Sequence, residues 1–150
     1  MDGQPYVAVI GPSEATVEEA ARAETLGRLL AERGAVVVCG GLGGVMEAVA
    51  RGASGGGGLV LGILPGGHRE DANEHVTVAL TTGMGEMRNA LVVRAADAVI
   101  AVGGAYGTLS EIAFALRTGV PVVGIGTWEL DDVIDAPDEH AAVDLALELA

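Results

Sequence analysis

DAVIAVGGAYGTLSEIAFALRT, running from Asp97 to Thr118, decides the fold. Its first part, Asp97 to Val102, is a short β-branched apolar run and predicts a buried strand. The apolar positions Leu109, Ile112, Ala113 and Leu116 recur at helical spacing and predict an amphipathic helix. Between them lies a turn containing Gly103, Gly104 and Gly107. A glycine turn from strand into helix presents several backbone N–H groups at the positive end of the helix dipole. Such a turn binds phosphate without a cationic side chain. Thr108 and Glu111 within it admit two readings: a capping box for the first helical turn, or a phosphate-binding threonine beside a carboxylate that works on a ligand. One residue can serve both.

Working outward, Tyr6 to Ile10 reads as a strand ending at Gly11-Pro12-Ser13. Thr16 and Glu19 fit a capping box, and Ala20, Leu26, Leu29 and Leu30 carry a helix to Arg33-Gly34. Val36 to Cys39 is a second strand, opening into the glycine run Gly40 to Gly44. A helix over about Val45 to Ala53 follows, then a flexible turn at Ser54 to Gly58 and a strand at Leu59 to Leu64. His68 to His75 reads as a long polar loop, and Val76 to Leu80 as a weaker strand. Further on come a helix over about Glu86 to Ala96, a strand at Val120 to Ile125, an acidic linker holding Trp128, and a helix at about Glu139 to Leu149. Strands that are continuous apolar runs, alternating with helices, imply a single doubly wound, mostly parallel α/β sheet covered on both faces. No repeat or second domain interrupts residues 1–150, so one nucleotide- or phosphate-binding domain is expected, with an acidic extension from about Thr127. Ligands in such folds sit at the carboxyl ends of the strands, where every glycine turn named above would lie.

Composition narrows the chemistry. A net charge of −13 argues against nucleic acid or an anionic membrane as partner. Eight of the 21 acids fall from Glu129 onward, so much of that charge belongs to the C-terminal part rather than to a ligand site. All eight basic residues are arginine. Without lysine, neither a GxxxxGK[ST] phosphate loop nor a pyridoxal-phosphate Schiff base can be built, so the chain is no decarboxylase of that kind. No apolar run approaches the ~20 residues of a membrane span, and no signal segment is recognisable. The lone Cys39 offers no disulfide, and a cytoplasmic protein is the default expectation.

The Gly40 to Gly44 turn does not complete a dinucleotide fingerprint: counting from Gly41, Met46 stands where GxGxxG requires glycine. It stays open as an anion- or ribose-facing turn, with Gly41, Gly43, Gly44 and Met46 as candidate ligand-binding residues, or as a plain strand-to-helix turn. Arg88 falls in the first turn of its expected helix, where the dipole disfavours a cation. Either a nearby anion explains it, or it is a surface arginine paired with Glu86. If the preceding strands lie side by side, Arg88 and Glu111 open two helices at one sheet edge. An arginine holding phosphate and a glutamate acting as acid or base would make a hydrolytic pair. His68 and His75 among Glu70, Asp71 and Glu74 fit no strong ligand spacing, so no metal site is expected.

Gly40-Gly41-Leu42-Gly43-Gly44-Val45-Met46, then Met87-Arg88, then Gly103 to Glu111, resemble the lonely-guy (LOG) family, a Rossmann-like group often labelled lysine-decarboxylase-like. The resemblance covers roughly Tyr6 to Gly126. It implies a doubly wound fold and phosphoribohydrolase chemistry, cleavage of the N-glycosidic bond of a nucleoside 5′-monophosphate. Against that family's PGGxGTxxE signature, Gly103 replaces the proline and Ala105 the second glycine, while Gly104, Gly107, Thr108 and Glu111 match; its Arg-Lys pair reads Arg88-Asn89. These departures, with the compact length, look closer to a sister branch containing molybdenum-cofactor carrier proteins, which bind a phosphorylated pterin without acting on it.

The resemblance thus implies Arg88 and Glu111 as the catalytic pair of an enzyme. The implied phosphate or ligand contacts are Arg88, Asn89, Gly103, Gly104, Ala105, Tyr106, Gly107 and Thr108. No cofactor is required on this reading; molybdenum cofactor is a candidate ligand in the carrier reading. A homo-oligomer, dimer or tetramer, is implied as well.

Overall fold

Val36–Cys39 is apolar at every position and buried at every position, which is the signature of a strand covered on both faces. The computed structural model of the protein describes residues 3–150. Strands β1 (Tyr6–Ile10), β2 (Val36–Cys39), β3 (Val60–Leu64), β4 (Val78–Thr81), β5 (Ala98–Val102), β6 (Val122–Ile125) and β7 (Ile134–Asp135) form one sheet. Their order is β4-β3-β2-β1-β5-β6-β7, and every neighbouring pair is parallel. The expected doubly wound Rossmann-like α/β fold is what the chain adopts. The strand order reverses between β1 and β5, so a crevice opens beyond their carboxyl ends.

Successive side chains of a strand point to opposite faces, and here each face has its own helices. Val7, Val9, Val37 and Ile100 pack with α1 (Val17–Glu32), α2 (Val45–Gly55) and α5 (Glu139–Leu149). Ala8, Ile10, Val38, Val99 and Ala101 pack with α3 (Asn89–Arg94) and α4 (Tyr106–Arg117). Helices α1 and α2 approach so closely that a Cβ on Gly27 would strike the Val49 carbonyl, and one on Gly52 the Glu24 carbonyl. With few aromatics available, small residues at such crossings bring the elements into contact.

The Thr16–Glu19 capping box at the start of α1 is present with both reciprocal bonds. Several expectations need correction. Helix α2 continues through Gly55, so the turn after it is shorter than Ser54 to Gly58. The expected helix from Glu86 is split: a 3-10 turn covers Gly85–Arg88 and α3 holds only Asn89–Arg94. Gly85, at φ 61°, opens that 3-10 turn. The weaker strand lies at Val78–Thr81 rather than Val76 to Leu80. The His68 to His75 loop contains a 3-10 turn at Arg69–Asp71, and Asn73 ties it down by donating from its side chain to the Leu42 carbonyl at 2.9 Å. The acidic linker contains β7, which pairs with β6, and α5 beyond it packs into the core through Ala142, Val143 and Ala146.

Candidate functional site

A cavity of about 350 Å³ occupies the crevice beyond the ends of β1, β2 and β3, within the ~300–1,000 Å³ usual for small-molecule sites. Its floor is the end of β1 and the Gly11–Ser13 loop. One wall carries Gly40 and Met46; the other carries Ala105, Gly107, Thr108 and Glu111 from the start of α4. Arg88, at the end of the 3-10 turn, and Asn89, the first residue of α3, close it.

Helix α4 begins two residues before Thr108. Its N-cap is Ala105, which has no side-chain acceptor to offer, so the capping-box reading of Thr108 and Glu111 is wrong. The first-turn amides of Tyr106, Gly107 and Thr108 are therefore orphan donors at the positive end of the helix. Thr108 is only 2% exposed, yet its Oγ1 has no hydrogen-bond partner among the described residues. A buried hydroxyl left unsatisfied costs about 1–3 kcal/mol, and Thr108 is one of the residues that line the cavity. Beside it, a Cβ added to Gly107 would meet open space, so the backbone is bare to an incoming group.

Arg88 is 8% exposed and is no surface arginine. Its Nε donates to the Ile63 carbonyl at the end of β3 (2.9 Å), and Nη1 donates to Asn89 Oδ1. Nη2 lies 4.0 Å from Met46 Sδ. A Cβ on Gly40 would stand 2.8 Å from Nη2, so glycine there makes room for the guanidinium. Burial pushes the Arg88 pKa down; Glu111, then Cys39 and Glu86, oppose that push. A guanidinium starts far enough above neutrality to keep its charge regardless.

The premise that placed Arg88 near Glu111 was incorrect: β4 and β5 are not neighbours, because β3, β2 and β1 lie between them. The length of the arginine, reaching back across β3, brings the two groups into one cavity. Burial raises the Glu111 carboxyl to about 7, with Arg88 pulling the other way. Neither residue enters an ion pair within 4.0 Å among the described residues, so Glu111 is a carboxyl able to hold or release a proton near neutrality. Cys39 is buried, and its thiol is pushed up to about 11 by that burial, which suits a core residue rather than a nucleophile.

Of the residues singled out from sequence, Met46, Arg88, Asn89, Ala105, Gly107, Thr108 and Glu111 line this cavity. The others do not. Gly41 packs over Leu64, Gly43 faces a shallow neighbouring depression, and Gly44, at φ 65°, sits against Pro12 and Ser13. Gly103 backs onto Pro12 and Glu19, Gly104 lies under Trp128, and Tyr106 is 84% exposed, stacked on Trp128 at 6.1 Å between ring centroids. Pro12, Ser13 and Glu86 line the cavity without having been singled out. The signal for the first two was present, since a Gly-Pro-Ser turn directly after β1 must sit at the switch point. Among the described residues no group of three or more His, Cys, Asp and Glu side chains could hold a metal ion, and no helix is long and apolar enough to cross a membrane.

Residues 4–148 match the SLOG cluster4 family. An uncharacterized protein of Archaeoglobus fulgidus is 47% identical over 120 residues, 79% of this chain and 78% of that one. A probable cytokinin riboside 5′-monophosphate phosphoribohydrolase of Oryza sativa subsp. japonica is 42% identical over 90 residues, 58% of this chain but only 37% of the rice protein. Among solved structures, the molybdenum cofactor binding protein of Rippkaea orientalis superposes with a TM-score of 0.92 at 34% identity, covering 97% of both chains.

Proposed function

The chain belongs to the SLOG cluster4 family, and from that premise we propose that its cavity binds a small ligand through a phosphate group, with molybdenum cofactor, a phosphorylated pterin, as the favoured cargo. The carrying observation is the buried, unpartnered Thr108 hydroxyl beside the open Gly107 backbone, with the Arg88 guanidinium in the same cavity. A phosphate supplies acceptors for the orphan donors of α4 and a counter-charge for Arg88. A monophosphorylated pterin fits such a donor set at its phosphate. The full-length likeness to the Rippkaea orientalis protein supports cargo binding over chemistry. Native mass spectrometry of the purified protein tests it: a retained phosphorylated pterin is expected, at reduced occupancy in Thr108→Val. A protein that comes through empty and takes up no phosphorylated ligand would overturn the reading.

A second reading is phosphoribohydrolysis, favoured by the Glu111 carboxyl with a pKa near 7 in the same cavity and by the likeness to the rice enzyme. In it, Glu111 donates its proton to the departing base nitrogen as the C1′–N bond breaks. Water adds its oxygen to C1′ and returns a proton to Glu111. Incubation with AMP separates the readings: free adenine and ribose 5-phosphate, abolished in Glu111→Gln, support the enzyme, and binding without turnover supports the carrier.

A further inference from the structure

The glycine turn is gripped from behind by two side chains that contribute nothing to the cavity. Thr127 Oγ1 donates to the Gly103 carbonyl at 2.6 Å, and Trp128 Nε1 donates to the Ala105 carbonyl at 3.2 Å. Both come from the segment just after β6, 24 and 23 residues further along the chain. The Ala105 carbonyl also accepts from the Leu109 amide at 3.1 Å, the first bond of α4. The indole is itself held by the Tyr106 ring, stacked at an interplanar angle of 25°.

In a planar trans peptide, the carbonyl of one residue and the N–H of the next point in opposite directions. Pinning the Gly103 carbonyl fixes the Gly104 amide, and pinning the Ala105 carbonyl fixes the Tyr106 amide. Gly103 has φ 76° and no side chain to restrict it, so its peptide plane would otherwise be free to flip and turn a carbonyl towards the ligand. Neither Thr127 nor Trp128 lines the cavity, whereas Ala105, Gly107 and Thr108 do.

We propose that Thr127 and Trp128 are positioning residues that hold the Gly103–Gly107 turn in one conformation, its two pinned carbonyls kept from turning towards the bare Gly107 backbone and the Thr108 side chain that line the cavity, and so make it selective for anions. The inference rests on the phosphate reading above. It assigns a role to a segment that sequence alone marks only as an acidic linker.

Trp128 is the sole tryptophan of the chain, so its fluorescence reports directly on the back of the turn. The experiment titrates inorganic phosphate and AMP into the intact protein, Trp128→Phe, Thr127→Val and Thr127→Ser. Affinity is followed by calorimetry, and the Gly104 and Tyr106 amides by nitrogen–proton NMR. The wild type is expected to bind, with a saturable change in Trp128 emission. Loss of one pinning bond should weaken binding about 5- to 10-fold in Trp128→Phe and Thr127→Val, with the two amide signals shifted. Thr127→Ser keeps the hydroxyl and should restore wild-type affinity, which a loss of general stability would not allow. If the wild type binds neither probe, the phosphate reading fails. If the wild type binds and both variants bind equally well with unmoved amides, the lock alone is overturned. Should Trp128→Phe not fold, the Thr127 pair decides by itself.

Discussion

Arg88 Nε donates to the carbonyl of Ile63 at 2.9 Å, so a charged side chain that follows β4 is anchored on the neighbouring strand β3. Together with the bond to Asn89 Oδ1, this fixes the guanidinium plane while leaving further N–H groups for an anion. The cost of burying the charge is offset only in part by its fixed partners, which is why a ligand phosphate is its natural complement.

Arg88→Lys retains the charge but not the fork or the Nε donor. Phosphate or AMP affinity should fall at least ~10-fold in that variant, and further in Arg88→Met, since planar two-point recognition is lost in both. Arg88→Met also strands the Ile63 carbonyl, at a cost of about 1–3 kcal/mol. Calorimetric titration and urea denaturation read the two effects separately.

Thr108→Val replaces the hydroxyl by a methyl group of nearly the same shape. Because Thr108 Oγ1 has no partner among the described residues, the variant should be as stable as the wild type or more stable by about 1 kcal/mol. Ligand affinity should nevertheless drop about 5- to 10-fold. Opposite movement of melting temperature and affinity is the expected signature; a loss of both would show that the hydroxyl serves the fold.

Strands were legible because burial on both faces forces unbroken runs such as Val36–Cys39. β7 was not, since Ile134–Asp135 is two exposed residues paired to an edge. The capping box at Thr16 and the supposed one at Thr108 have the same local sequence logic. They differ in where the helix starts: Thr16 is the N-cap of α1, whereas α4 begins at Tyr106, two residues before Thr108. Thr108 is a candidate on sequence alone and it lines the cavity, but its lack of any partner among the described residues is a tertiary fact. The nearness of Arg88 to Glu111 was expected for the wrong reason: side-chain reach, not strand adjacency, brings them together. Thr127 and Trp128 were invisible as site residues because their bonds cross 24 and 23 residues of chain and end on backbone carbonyls, which carry no sequence mark.

Glu111 makes stability depend on pH. Its folded pKa of about 7 lies above the ordinary 4.5, so between those values the folded state holds a proton that the unfolded chain has lost. Stability from this group is therefore full below pH 4.5, declines as pH rises through 7, and stays low above it. Glu111→Gln should flatten that decline and gain about 1–3 kcal/mol over the wild type at pH 8. Denaturation midpoints measured from pH 4.5 to 8 check it. Should AMP turnover be found, its rate should fall above pH 7, as the carboxyl loses the proton it must donate.

Gly103 stands where the hydrolase signature carries proline, and the difference is one of backbone rather than decay of a motif. At φ 76° the residue lies in the left-handed region, while proline is held near −65°. A Cβ there would also run into the Glu19 carboxylate and lie 2.9 Å from the Pro12 ring. Restoring the signature with Gly103→Pro should thus disrupt the turn, costing about 3 kcal/mol or more, and should abolish phosphate binding instead of creating a better hydrolase. Gly103→Ala meets the same clash without the locked ring and should cost less. Thermal denaturation and an AMP assay on both variants decide the matter, because a Gly103→Pro protein that is stable and turns over AMP would mean the turn adopts the hydrolase backbone in solution.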